Sequence, residues 1–213
     1  MTHIEIGRLL RASSAGFVIG TRVAQLDMQP LGALRLGALA RVPQAGSYQI
    51  YGLIYDIHID DDGLVRQLVT AEGVADNVIA DNRLNRNVPL EMSVLAVGYE
   101  VDGVIYHLLP PRPPLSLDII YLCEPVEVCR FTSAGRFGYF RHVLRAADLP
   151  VGELLAAHVQ QAQPAHAAAG NPAWANAATQ ELITLLRDDY PTLMSVLSAL
   201  SDALPERGND GRL

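Results

Sequence analysis

The 213-residue chain is half apolar and carries a net charge of −7, and every one of its 16 basic residues is arginine. Without lysine there is no P-loop lysine, no Schiff-base lysine and no lysine general base, so those chemistries are excluded. The acidic balance argues against a general nucleic-acid coat, and no apolar run reaches the roughly 18 residues of a membrane span.

The N-terminal stretch MTHIEIGRLL has no signal-peptide pattern, and a soluble cytoplasmic protein is the expected class. IGRLLRASSAGFVIGTRV reads as a strand, a Ser-Ser-Ala-Gly turn and a second strand. LGALRLGALARV alternates Leu34, Leu36 and Leu39 with small residues. YQIYGLIYDIHID, rich in β-branched and aromatic residues, is the strongest strand, and Asp61-Asp62-Gly63 after it is a hairpin-turn signal. A polar segment from Glu72 to Pro89 has no clear period. EMSVLAVGYE and GVIYHLLP then flank Val101-Asp102-Gly103, a second hairpin in which Asp-Gly suits the positive φ angles of a tight turn.

PPRPPLSLDIIYLCEP, Pro110 to Pro125, sets four prolines and an arginine before one last strand, LSLDIIYL. A proline-rich SH3 ligand needs a basic residue at a set distance from PxxP, and neither PxxP here has one. The stretch reads as a stiff joint near the change from β to α pattern. From about Tyr139 the period is helical. Two short helices break at Asp148-Leu149-Pro150, a loop spans Pro164 to Pro172, and WANAATQELITLLRDD and PTLMSVLSALSDAL form a helical hairpin. In its second helix Leu193, Val196, Leu197, Leu200 and Leu204 make a one-sided apolar stripe. The expected fold class is mainly β with an α-helical C-terminal part (β+α): a small closed, Greek-key-like β-barrel followed by a helical tail. The last residues, 206–213, read as a flexible tail.

Few residues invite catalysis. Asp56, His58 and Asp60 share one face of a strand at period two, as ligands of manganese, iron or a metal nuclease could; the wet face of an amphipathic strand has the same pattern. No GxSxG is present, and Cys123 and Cys129 sit in apolar surroundings that disfavour a thiolate. His158, among the apolar residues of its helix, reads as a packing residue. The segment Arg130–Ala147 holds four arginines (Arg130, Arg136, Arg141, Arg145) and no acid, interleaved with Phe131, Phe137, Tyr139 and Phe140. Such a mixture makes protein hot spots or stacks bases; it also makes an ordinary amphipathic helix. Arg136, Phe137, Tyr139, Arg141 and Arg145, with Leu193, Leu197 and Leu200 of the apolar stripe, are the candidate partner-binding residues.

The motifs IGRLLRAS, FVIGTRV, LRLGALARV and YGLIYDI, followed much later by PPRPPLSLDIIYL, resemble the HAS-barrel. This is the N-terminal β-barrel of HerA-type DNA translocases and rotary ATP synthase subunits. The run RQLVTAEGVADNVIADNRLNRNVPLEMSVLAVGYEVDGVIYHLLPPRPPLSL is similar to stand-alone bacterial HAS-barrel proteins. The resemblance covers about residues 4 to 130 and implies a barrel domain over 1–130, with a helical region over 131–205. It departs where the translocases continue into a motor with a Gly-rich Lys-Ser/Thr phosphate loop. This chain has no GxxxxGK[ST], so ATP hydrolysis is not carried over. The resemblance implies a non-enzymatic adaptor without a cofactor, holding subunits together or docking a HerA-type ATPase or NurA-type nuclease in DNA processing or repair. Nucleic acid would then be contacted indirectly, and a homo-oligomer is compatible with that role. The competing readings are a metal-dependent phosphodiesterase or nuclease on Asp56, His58 and Asp60, and an OB-like single-strand binder.

Overall fold

Alternation of apolar and polar residues places the strands where the sequence suggests. The computed structural model describes residues 3–22, 34–59, 75 and 89–204. Seven strands form one antiparallel sheet: β1 (Glu5–Ala12), β2 (Gly16–Arg22), β3 (Leu39–Pro43), β4 (Tyr48–Ile59), β5 (Pro89–Val101), β6 (Val104–Tyr106) and β7 (Ile119–Leu122). The neighbour order β2-β1-β7-β3-β4-β5 closes on itself because β2 also pairs β5 along its length, from Gly16↔Leu95 to Arg22↔Pro89. This is a six-stranded closed barrel, and β7-β3-β4-β5 within it is a Greek key, a three-strand meander whose fourth strand returns beside the first. Two bulges, at Val97 of β5 opposite Tyr51/Gly52 and at Tyr55 of β4 between Ile54 and Asp56, bend the longest pair, as a small barrel requires.

One side chain in two along each strand points inward. Ile6, Leu9, Phe17, Ile19, Val42, Ile54, Met92 and Ile120 fill the barrel, and all are buried. The Ser13–Gly16 turn forms as expected, with the Ser13 N–H donating to the Gly16 carbonyl at 2.8 Å. So does the Asp102-Gly103 turn, with φ of 49° and 81°. The strand expected over GVIYHLLP is cut to Val104–Tyr106, because the chain turns inward at the buried His107. The Asp61-Asp62-Gly63 turn lies outside the described residues, as does the polar stretch that follows, apart from Ala75 and Pro89.

The proline-rich stretch lies within the barrel's path, carrying the chain from β6 to the closing strand β7. Pro110 and Pro114 are buried, and the Arg112 guanidinium sits 5.7 Å from the Tyr48 ring centre.

Helix begins earlier than the Tyr139 onset expected from sequence. Helix α1 is Pro125–Ser133, followed by a short 3-10 turn at Ala134–Phe137, α2 (Phe140–Arg145), α3 (Val151–Ala168), α4 (Trp174–Leu185) and α5 (Tyr190–Ala203). Pro125 opens α1 in the first turn, where no N–H is needed, and Glu127 accepts the Glu124 N–H at 2.9 Å. The loop expected from Pro164 is also corrected: α3 runs through Pro164 to Ala168. Its last turn is held by His166, which is buried, stacks on Trp174 at 4.2 Å and donates through Nε2 to Thr132 Oγ1 at 2.7 Å. That packing offsets the hydrogen bond that proline removes.

A second core lies where the outer wall of β3, β4 and β5 meets the helices. It holds Tyr51, Leu53, Val97, Phe131, Tyr139, Phe140, Leu155, Val159, Trp174, Leu182, Val196 and Leu200. Gly98 is required beneath it, since a Cβ there would stand 2.6 Å from the Tyr106 carbonyl oxygen and 2.9 Å from the Phe131 ring. Two ion pairs clamp α1 to the barrel: Arg41 Nε to Glu127 at 2.7 Å and Arg130 to Glu100 at 2.6 Å. Among the described residues, no helix is long and apolar enough to cross a membrane.

Candidate interaction surface

The four arginines of the basic segment divide into two pairs. Arg130 donates to the Glu100 carboxylate and, at 3.1 Å, to the Tyr51 hydroxyl, which itself donates to Glu100 at 2.7 Å. Burial raises the Tyr51 pKa far above the ordinary phenol range, and its hydrogen bond to the Glu100 carboxylate raises it further. Arg141 donates to the His107 carbonyl, which also accepts from His142 Nε2 at 3.1 Å. Both of these arginines therefore act within the fold, and Arg141 and His142 cover the backbone of the β6 edge just past its last residue. Arg136 and Arg145 are exposed and have no hydrogen-bond or ion-pair partner among the described residues.

Arg136 is presented by an unusual turn. Gly135 (φ 55°, ψ 27°), Arg136 (φ 47°, ψ 54°) and Phe137 (φ 58°) occupy the left-handed region in succession. For each non-glycine residue this costs about 1–2 kcal/mol. The surroundings over-determine it. The His107 ring lies beneath, so close that a Cβ on Gly135 would come within 2.9 Å of Nδ1. Phe137 stacks on Phe140 at 5.4 Å and tilts against Trp174 at 5.7 Å, and the Gly138 N–H returns to the Gly135 carbonyl at 2.9 Å. Phe137 is thus an anchor of the turn, and Arg136 is the residue held outside.

Arg145 ends α2, and the next residues, Ala146 and Ala147, enter the wall of a cleft of about 410 Å³. Phe17, Tyr55, Val94, Leu95 and Leu149 line its apolar part, with Arg11 at the edge tied to Glu91 at 3.3 Å. On α2, His142 is held below the ordinary imidazole range by burial and by the nearby charges of Arg141 and Arg145. An apolar cleft whose wall begins one residue after the exposed Arg145 suits a partner segment that is both apolar and acidic.

The other residues singled out from sequence are dispersed. Tyr139 is buried in the junction core, and its hydroxyl donates to His158 Nε2 at 3.0 Å while His158 Nδ1–H donates to the Gly37 carbonyl at 3.0 Å. Both imidazole nitrogens are satisfied, so His158 is the packing residue expected, and burial pushes its pKa down to about 4. Leu200 is buried in the same core, and Leu193 and Leu197 are half-buried. Of the partner-binding candidates the structure leaves Arg136 and Arg145 exposed and turns Tyr139 and Leu200 inward.

Asp56 and His58 do share a strand face, but they bond to each other at 2.9 Å, and the nearby Glu91, 3.9 Å from His58, is engaged by Arg11. Asp60 lies outside the described residues. Among those described, no three His, Cys, Asp or Glu side chains are grouped to hold a metal ion. Burial raises the Cys123 thiol well above its ordinary pKa and raises Cys129 as well, so neither is a ready thiolate.

Two features escaped the sequence reading. His107 supports the strained turn, and a ladder of Tyr48, Tyr99 and Tyr106 crosses β4, β5 and β6 with ring centres 5.9 and 5.2 Å apart. The ladder was legible in principle: Tyr99 and Tyr106 stand three residues either side of Asp102-Gly103, which a two-residue turn makes cross-strand partners. Neither a scan against protein-family models nor a search of curated proteins returns a match for this chain.

Proposed function

We propose that the protein is a non-catalytic docking module, which binds an acidic partner surface through Arg136, Arg145 and the adjoining apolar cleft. The observation that carries this reading is the division of the basic segment, in which two arginines are consumed by the fold and two have no partner among the described residues. One of these is held outside at a cost in backbone strain. Such strain persists where function selects for it. The HAS-barrel resemblance suggests the class of partner, a HerA-type ATPase or a NurA-type nuclease, and with it a role in DNA processing or repair. Contact with nucleic acid would then pass through the partner, as a net charge of −7 favours. The metal-dependent alternative has less support, because Asp56 and His58 satisfy one another.

The test is affinity purification of the tagged protein from its own cells, with and without nuclease treatment, followed by titration of the recovered ATPase or nuclease. Arg136→Glu with Arg145→Glu should weaken binding about tenfold or more while the Tm moves by about 2 °C or less. Unchanged affinity in that double variant would remove the interface from these residues, and loss of the partner on nuclease treatment would point to nucleic acid as the bridge.

A further inference from the structure

One buried histidine stands between the barrel and the strained turn, and one of its nitrogens is left over. His107 directly follows β6 and is 7% exposed. Its Nε2 lies 3.0 Å from the Phe131 carbonyl. A carbonyl can only accept, so Nε2 carries the proton of the neutral ring and Nδ1 keeps a bare lone pair. That Nδ1 is buried and has no hydrogen-bond partner among the described residues. What lies over it is backbone. A Cβ would stand 2.9 Å from Nδ1 if built on Gly135 and 3.4 Å if built on Gly138. Two glycines thus let the turn that presents Arg136 settle directly on this nitrogen.

An unpaired neutral acceptor costs little beside a buried, unpaired N–H that carries charge. The groups packed on the ring are already engaged. From α1 comes Phe131, whose carbonyl is bonded to Nε2 and whose ring lies 4.8 Å away. Tyr139, just before α2, has its ring 5.0 Å away and its hydroxyl spent on His158. Arg141 and His142 of α2 both donate to the His107 carbonyl, and the turn itself brings the cation of Arg136. Burial, with Arg141 and His142, holds His107 below the ordinary imidazole range against the pull of the Phe131 carbonyl. The cover is also strained. Gly135, Arg136 and Phe137 stand at φ 55°, 47° and 58°, a conformation unfavourable for the two non-glycine residues. The stack of Phe137 on Phe140 and the Gly138-to-Gly135 bond hold it shut.

We propose that His107 is a proton switch for the Arg136 turn: a proton taken up at Nδ1 lifts the Gly135–Gly138 backbone off the ring and takes Arg136 out of its fixed position. Lifting admits water to the new N–H and relieves the left-handed strain in one step. The direction with pH follows from linkage. With the turn open the ring titrates near its ordinary value of about 6.5, and with the turn closed it titrates lower. The open form therefore binds more protons, and its population rises by up to about tenfold per pH unit as pH falls below about 6.5. Near neutral pH the turn is shut and Arg136 is in place; acid undoes both. Only the effect on partner binding rests on the docking reading above, because the opening is a property of the free chain.

The test is amide hydrogen exchange of the full chain, without partner, from about pH 7.5 to about pH 5, corrected for the intrinsic rate at each pH. Gly138 reports the closed turn, since its N–H donates to the Gly135 carbonyl at 2.9 Å. Its protection should fall by about threefold or more across that range. His107→Gln can keep the donation to Phe131 but cannot titrate, and there Gly138 should not respond. His158→Gln removes a different buried imidazole, and there the Gly138 response should persist. The switch is overturned by a flat wild-type profile, by a His107→Gln variant that falls like wild type, or by a response that disappears with His158. Should His107→Gln not fold, the His107 ring resonances of the wild-type protein decide. A midpoint below about 6.5 supports the coupling, and one at or above that value overturns the switch. With no partner present, failure of the switch is read separately from failure of the docking surface.

Discussion

The barrel interior and the junction between barrel and helices solve the burial problem in different ways. Inside the barrel the filling is almost wholly aliphatic, with Phe17 its one fully buried aromatic ring among the described residues, because backbone ladders close the structure and only volume remains to be filled. The junction instead gathers Tyr51, Phe131, Tyr139, Phe140 and Trp174 around His107, His158 and His166, each histidine hydrogen-bonded to a named partner. No ladder fixes how a helix sits on a sheet, so directional side chains must do it. One core is held by topology and the other by specific contacts.

The largest test of that contrast is Phe131→Ala, which removes the ring packed on Tyr51 at 4.6 Å and on His107 at 4.8 Å. Stability should fall by about 3–5 kcal/mol. Hydrogen exchange should show the helices opening while the amides of β1, β2 and β5 keep their protection. Equal loss in both regions would show that the two cores unfold as one unit.

Acid should separate the regions next. Burial holds His158 down to about 4 and lowers His107, His142 and His166 as well, whereas the buried cluster inside the barrel, among the described residues, is made of apolar side chains. Depressed folded-state values mean that the unfolded chain binds more protons once pH drops below the ordinary 6.5. The stabilisation is therefore complete above that pH and is lost on acidification toward about 4. For His158 the difference amounts to about 3 kcal/mol. Urea midpoints measured at pH 8, 6 and 5 should show the loss, and His158→Gln should flatten it. A slope unchanged in that variant would assign the acid sensitivity elsewhere.

The smallest effect concerns the strained turn on the junction's rim. Arg136→Gly should raise stability by roughly 0.5–1 kcal/mol, since glycine accepts φ 47° without penalty but gains entropy in the unfolded chain. A thermal melt reads this directly, and a fall in Tm would show that the Arg136 side chain supports the fold.

Much of this architecture was legible in the sequence because strands announce themselves by alternation and by Asp-Gly and Ser-Gly turns. The barrel, its Greek key and the helical hairpin followed from those signals and from the change of period. The onset of α1 was missed, although Glu124-Pro125-x-Glu127 carries both a proline for the first turn and a carboxylate three residues beyond the cap. The proline run before it, read together with Pro125 as a joint, masked it. At Pro164 local propensity indicated a loop, and the His166–Trp174 stack, a contact between separate helices, overrode it. The surface was half legible: arginine and aromatic residues marked the segment, but which arginines the fold consumes depends on His107 and Glu100. These come from distant strands and cannot be paired with the segment by spacing.

Closure of the barrel also fixes the order in which a nascent chain can acquire structure. The first strand finds its second neighbour only in β7, through Glu5↔Tyr121 and Arg8↔Ile119. During synthesis at roughly 5–20 residues per second, the N-terminal hairpin must wait several seconds with one edge unpaired. The strand that ends the wait runs straight into α1, whose Glu127 and Arg130 reach back to Arg41 on β3 and Glu100 on β5. Sealing the cylinder and mounting the first helix on it are thus consecutive events on the ribosome, and the chain reaches a protected state only after most of it has been made.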